Sequence, residues 1–160
     1  MVSFAPIDHA TEAEWERMFN INLKGPYFWT QAVLPHLNEG ARLIYNTSVV
    51  NKKGFPGSST YSATKAGLRS VVRVLTTELA PRGFRVNAVS PGPIETPIYG
   101  KLGMSEEELK QMGEGFAQNV PLARFGTSEE VAEAALFLAN PTASYTNGIE
   151  LEIDGGMTQV

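Results

Sequence analysis

The chain has 160 residues, 42% of them hydrophobic and 19% charged, with a net charge of −4. That length supports a single domain with a real core, and an acidic balance with no basic cluster beyond Lys52-Lys53 argues against a nucleic-acid partner. There is no cysteine, which excludes disulfides and thiolate metal sites; His9 and His36 lie far apart without ligand-like spacing, so no metal is expected.

The opening stretch "MVSFAPIDHATEAEW" has neither a basic start nor an apolar run, so it does not read as a signal peptide. No apolar run approaches the ~20 residues that span a bilayer. The expectation is a cytoplasmic protein with no membrane partner. Thr11 and Glu14 then form the T-x-x-E pattern of a capping box. They open a helix expected from Glu12 to Leu37, with a kink or break between Asn22 and Gly25 because Pro26 sits inside it. "ARLIYNTSVV" is a short β-rich run and predicts a strand over Leu43–Ser48. "KKGFPGSS" is a turn-rich loop. A second helix is expected over Thr60–Ala80, ended by "PRG". "FRVNAVSPG" predicts another strand, stopped at Pro91-Gly92.

"SEEELKQMGEGFAQN" reads as a polar helix weakened by Gly113 and Gly115. Its Met112 and Phe116, with Met104 just before it, are either part of a core stripe or the lining of a substrate pocket. Thr127 and Glu130 form a second capping box before a helix at Glu129–Ala139. The alternating "IELEID" predicts the last strand over Ile149–Ile153. Strands separated by helices give an α/β fold, a parallel sheet of about three strands with helices on both faces. No linker or internal repeat interrupts it, so residues 1–160 read as one domain.

The chemistry gathers in "SVVNKKGFPGSSTYSATKAG". Tyr61 and Lys65 are four apart on a predicted helix and share a face. A free phenol titrates too high for proton exchange at neutral pH, and a neighbouring ammonium favours the phenolate. The pair is therefore suited to general acid/base work on an alcohol–carbonyl interconversion. Ser48, at the end of the preceding strand, is placed to hydrogen-bond a substrate oxygen as charge develops on it.

The surroundings of this pair resemble the classical short-chain dehydrogenase/reductase family over nearly the whole chain. "NINLKGPYFWTQAV" is similar to the family's catalytic-asparagine helix, with Asn22 in the key position. "NTSVV" supplies the serine and "YSATKAG" the Tyr/Lys pair. "VNAVSPGPIETP" resembles the segment beside the nicotinamide, and "RFGTSEEVAEAALFLANPTASYTNGIELEIDGGM" the C-terminal signature.

The resemblance implies a Rossmann-like doubly wound fold and an NAD(P)-dependent oxidoreductase that interconverts an alcohol and a ketone or aldehyde. Tyr61 would exchange the proton with the substrate oxygen. Lys65 would lower its pKa and hydrogen-bond the nicotinamide ribose, and Ser48 would orient the carbonyl. Asn22 would hold a water linking Lys65 to solvent. Pro91, Gly92, the backbone at Ile94 and the Thr96 hydroxyl would hold the nicotinamide side of NAD or NADP. The helices at Glu12–Leu37 and Thr60–Ala80, with small residues Ala63, Ala66, Gly67 and Ser70, resemble one subunit interface of the family. Glu129–Ala139 and Ile149–Ile153 resemble a second. A homo-oligomer, dimer or tetramer, is the expectation.

The family's cofactor fold also needs a strand, a glycine-rich turn and a helix N-terminus to hold the pyrophosphate. None of the fifteen glycines lies in such a turn. By the resemblance the chain corresponds to the C-terminal half of the fold, a partial Rossmann-like domain carrying catalytic residues without most of the cofactor cradle. Little or no turnover is expected from the isolated 160 residues. The alternative is an inactive, truncated relative that only folds or oligomerises.

Overall fold

The computed structural model describes residues 1–96, 107, 115 and 119–160. The polar helix expected at 105–119, with Met104, Met112 and Phe116, falls largely outside them.

Helix α1 (Glu12–Phe19) starts where Thr11 caps it, its hydroxyl accepting the Glu14 N–H at 3.3 Å. The box is only half formed, because the Glu14 carboxylate accepts from the Ser3 hydroxyl instead. A π turn (Asn20–Lys24) follows, then α2 (Gly25–Val33). The expected break is there, and its form has a chemical cause. Pro26 has no N–H to give the Asn22 carbonyl one turn back. The Gly25 N–H reaches five residues back to Asn20 O instead, and a β-carbon at Gly25 would stand 3.2 Å from that oxygen.

Strand β1 (Arg42–Asn46), helix α3 (Ser59–Leu79), strand β2 (Arg85–Pro91), helix α4 (Ser128–Ala139) and strand β3 (Glu150–Ile153) complete the named elements. The strands form one parallel sheet in the order β1-β2-β3, with Leu43 beside Val86 and Val89 beside Leu151. This is the expected three-stranded α/β sheet. β1 is shorter than read: it ends at Asn46, and Ser48 lies beyond it, capping a 3-10 turn at Val49–Asn51.

One sheet face is built on Leu43, Tyr45, Val86 and Ala88, against which α3 packs Leu68, Val72 and Leu79. Tyr45 also ties α2 to the sheet. Thr30 gives its proton to Pro26 O, so the Tyr45 hydroxyl donates to Thr30 Oγ1 at 2.5 Å. Helix α4 lies across all three strands with Leu138 fully buried, and no residue of α4 joins the α3 cluster. It therefore takes the opposite face, where strand alternation points Ile44, Val89 and Leu151. Its start is a complete capping box, Thr127 and Glu130 each bonding the other's backbone N–H. Among the described residues, no helix is long and apolar enough to cross a membrane.

β1 is an edge of this sheet. Thr47 N–H and Ala41 C=O both point to β2, so alternation turns the polar backbone groups of Ile44 and Asn46 away from it.

Candidate active site

Three segments converge at the C-terminal ends of the strands: the turn after β1, the first turns of α3, and the chain leaving β2. Parallel strands separated by helices bring their loops to this one edge. Between them lies a cavity of about 360 Å³, within the range of small-molecule sites. Ser48, Tyr61, Lys65, Pro91, Gly92, Ile94 and Thr96 all line it. Seven of the eight site residues read from the sequence thus share one cavity.

Tyr61 is the third residue of α3, and Lys65 lies one turn on. Burial pushes the Tyr61 phenol above its ordinary value, and a hydrogen bond with Ser48 pulls it back. Lys65 gives a hydrogen bond to the backbone. Its Nζ stands 5.7 Å from the centre of the Tyr61 ring and donates to Asn46 O at 2.8 Å, one of the carbonyls on the open edge of β1. Burial brings Lys65 down to about 8. In this arrangement the Ser48 hydroxyl is the group that lowers the Tyr61 phenol, without offsetting the effect of burial.

Asn22 is buried but does not line the cavity. Its Nδ2 donates to Met1 O at 2.9 Å and to Thr64 Oγ1 at 3.3 Å. The π turn holds it one layer behind Lys65, against the residue that precedes the lysine on α3.

On the far wall, Gly92 has no room for a side chain: a β-carbon would lie 2.8 Å from Asp154 Cα. Burial pushes the Asp154 carboxyl up, but hydrogen bonds from the Thr158 hydroxyl and from the Gly156 and Thr158 N–H groups prevail and hold it below its ordinary value. Ile94 is fixed by backbone pairing around Gly126, which accepts from Glu95 N–H and donates to Pro93 O.

The apolar lining includes residues the sequence did not single out. Val2 and Phe4 reach in from the N-terminal stretch, Phe55 from the turn-rich loop, and Met157 from beyond Gly155-Gly156. Phe55, an aromatic inside a loop of Lys, Gly, Pro and Ser, was the one visible signal.

A family model described as enoyl-(acyl carrier protein) reductase matches residues 2–158. The chain is 40% identical over 148 residues to 3-oxoacyl-(acyl-carrier-protein) reductase FabG of Thermotoga maritima, covering 91% of this chain and 58% of that protein. It is 39% identical over 152 residues to glucose and ribitol dehydrogenase homolog 2 of Arabidopsis thaliana, covering 94% and 51%. Its fold matches a gluconate 5-dehydrogenase from Burkholderia cenocepacia, solved with NADP and tartrate, at a TM-score of 0.90 and 28% identity, over 100% of this chain and 62% of that one. A short-chain dehydrogenase/reductase from Brucella melitensis matches at 0.89 and 34%, over 98% and 61%. The chain thus spans between half and two thirds of the length of these relatives. With the family model spanning almost every residue and the sheet, cavity and Tyr/Lys helix in place, the chain belongs to the short-chain dehydrogenase/reductase family.

Proposed function

We propose that the chain is the catalytic and substrate-loop part, a partial Rossmann-like domain, of a cytoplasmic NAD(P)-dependent oxidoreductase that interconverts a small alcohol and its ketone or aldehyde. One observation carries this reading: Ser48, Tyr61 and Lys65 line a single cavity. Tyr61 gives its phenolic proton to the substrate oxygen in reduction and takes it back in oxidation. Ser48 donates to the same oxygen and stabilises its developing charge. Lys65, titrating at about 8, is still mostly an ammonium at neutral pH, and its field favours the phenolate whenever Nζ leaves Asn46 O. Asn22 acts from behind, through Thr64, on the lysine's turn of α3; the relay role implied by the resemblance suits that position better than substrate contact.

The residues fit the nicotinamide end of NAD or NADP. The Lys65 ammonium and Thr96 hydroxyl are donors for a ribose and an amide, and Val49, Pro93 and Ile94 offer apolar wall to a flat ring. When bound, that group supplies or accepts the hydride. The test is a coupled assay in which this chain, joined to a glycine-rich upstream half, is given a panel of small ketones and sugars with NADH or NADPH. Carbonyl-dependent loss of reduced nicotinamide is expected. Its absence across the panel with a cofactor-bound protein overturns the reading.

The partner we infer besides substrate is a second copy of the chain. Trp15, Ile21, Tyr27, Phe28 and Trp29 all lie substantially exposed along α1, the π turn and α2, with Trp29 at 66%. Single exposed apolar residues are ordinary, but a group of this size promotes association, and the open edge of β1 adds unpaired backbone groups. Ala63, Ala66 and Ser70 remain exposed on α3. Gly67 does not share that role, because a β-carbon there would meet Leu23 of the same chain at 3.0 Å. Sedimentation at micromolar concentration is expected to show a dimer, a tetramer or larger species. A stable 17.4 kDa monomer would refute it.

A further inference from the structure

Glu150 opens β3, and its side chain is only 2% exposed. A carboxylate so buried is costly unless it is paired and hydrogen-bonded. Its partners come from two other parts of the fold. Oε1 lies 2.5 Å from the Thr47 hydroxyl and accepts from Asn51 Nδ2 at 2.7 Å. Oε2 lies 3.5 Å from Arg69 Nε on α3 and 3.6 Å from Lys52 Nζ, which also pairs with Glu152. The Arg69 guanidinium is itself anchored, Nη2 donating to Gly148 O at 3.0 Å.

The arrangement of these partners is the informative part. Thr47 and Asn51 flank Ser48, one on each side, and the turn Val49–Asn51 is capped by the Ser48 hydroxyl. One carboxylate oxygen thus grips both ends of the segment that presents the serine. Arg69 lies one helical turn beyond Lys65, on the face that carries Tyr61 and Lys65. The same carboxylate therefore ties the serine's turn to the tyrosine's helix. Thr47 has a second acceptor, Val89 O at 2.9 Å; its one proton goes preferentially to the charged oxygen.

We propose that Glu150 is a positioning residue: its carboxylate, held by Arg69, clamps Thr47 and Asn51 so that Ser48 stays in register with Tyr61. This rests on the reading above that Ser48 and Tyr61 act as a pair.

The test is NMR of the chain with 13Cζ-labelled tyrosine at neutral pH. The Tyr61 resonance, assigned with Tyr61→Phe, reports the hydrogen bond at its hydroxyl, and Tyr45 serves as an internal check on the fold. Ser48→Ala is expected to move the Tyr61 resonance. Glu150→Leu is expected to move it equally, the double variant no further, and Glu150→Gln, which keeps the Oε1 acceptor, hardly at all. Should Glu150→Leu fail to fold because it strands Arg69, Thr47→Val with Asn51→Leu leaves the two charges paired and is expected to give the same shift. If the folded Glu150→Leu protein, or the Thr47→Val/Asn51→Leu protein in its place, keeps Tyr61 at its wild-type position while Ser48→Ala moves it, the clamp is wrong and the pair stands. A shift in Glu150→Gln as large as that of Ser48→Ala also overturns the clamp. If Ser48→Ala leaves Tyr61 unmoved, the Ser48–Tyr61 pair fails, and the clamp with it.

Discussion

Replacing Tyr61 with Phe in a cofactor-competent form of the protein is expected to lower kcat by about a hundredfold to ten-thousandfold, the usual worth of a positioned acid/base. The change removes one hydroxyl and keeps the ring, so the packing of α3 against Ser48 and the cavity wall is retained. Cofactor affinity should therefore hardly change, which separates this variant from Lys65→Ala, where both turnover and binding suffer. The variant has a cost at the site that must not be mistaken for catalysis: Ser48 loses its hydrogen-bond partner. Ser48→Ala in the same background discriminates, since a lost proton donor leaves little for the serine change to remove further. Steady-state kinetics with a saturating carbonyl substrate read out the result, and a kcat for Tyr61→Phe within a few-fold of wild type removes Tyr61 from the mechanism.

The second large effect concerns the cofactor. On the proposed reading the 160-residue polypeptide would offer the nicotinamide end Lys65, Thr96 and the backbone after Gly92, all of which line the cavity, but its sequence holds no strand followed by a glycine-rich turn and helix for the pyrophosphate. Most of the charge-assisted contacts a dinucleotide makes are thus not encoded. Calorimetry of the polypeptide with NADH or NADPH is expected to give a Kd of about 1 mM or weaker, near 4 kcal/mol of binding. Micromolar affinity would mean that the nicotinamide-side contacts suffice alone, and would change the assignment of the cavity.

The elements that pattern alone could reach are those whose sequence is locally consistent. "RLIYN" and "RVNAVSP" are apolar, β-rich and bounded by turn residues, and both are parallel strands. Thr127 and Glu130 announce α4, and the box closes as written. Tyr61 and Lys65 were legible because helical spacing is a local property.

What escaped the sequence depends on residues far apart in the chain. Lys65 goes to Asn46 O rather than to the phenol because the end of β1 is within its reach and offers an unpaired carbonyl. Alternation in "IELEID" suggests a glutamate facing water at 150. The α3 face covers it instead, and it is neutralised by Arg69, eighty-one positions earlier. Thr11 and Glu14 were read as a full box, but Ser3 supplies a competing donor. Val2 and Phe4 carry no local sign that they border a cavity. Pro26 located the break in the first helix. It did not tell a kink from a π turn, which follows from how Gly25 meets Asn20 O.

That turn sets the phase of everything after it. A helix advances about 100° per residue, so the one additional residue taken up between Asn20 and Gly25 rotates α2 by that angle relative to an uninterrupted continuation of α1. With the rotation, Thr30 faces inward to meet Tyr45 and Leu34 joins the core, while Tyr27, Phe28 and Trp29 face out. Without it the same letters would present a different stripe: the threonine would swing off the tyrosine, and aromatic rings would turn toward the sheet. The π turn is thus an indexing step. It decides which side of one continuous helical rod is the domain's interior and which stays exposed, and it does so at the residue, Asn22, that also braces the lysine's helix.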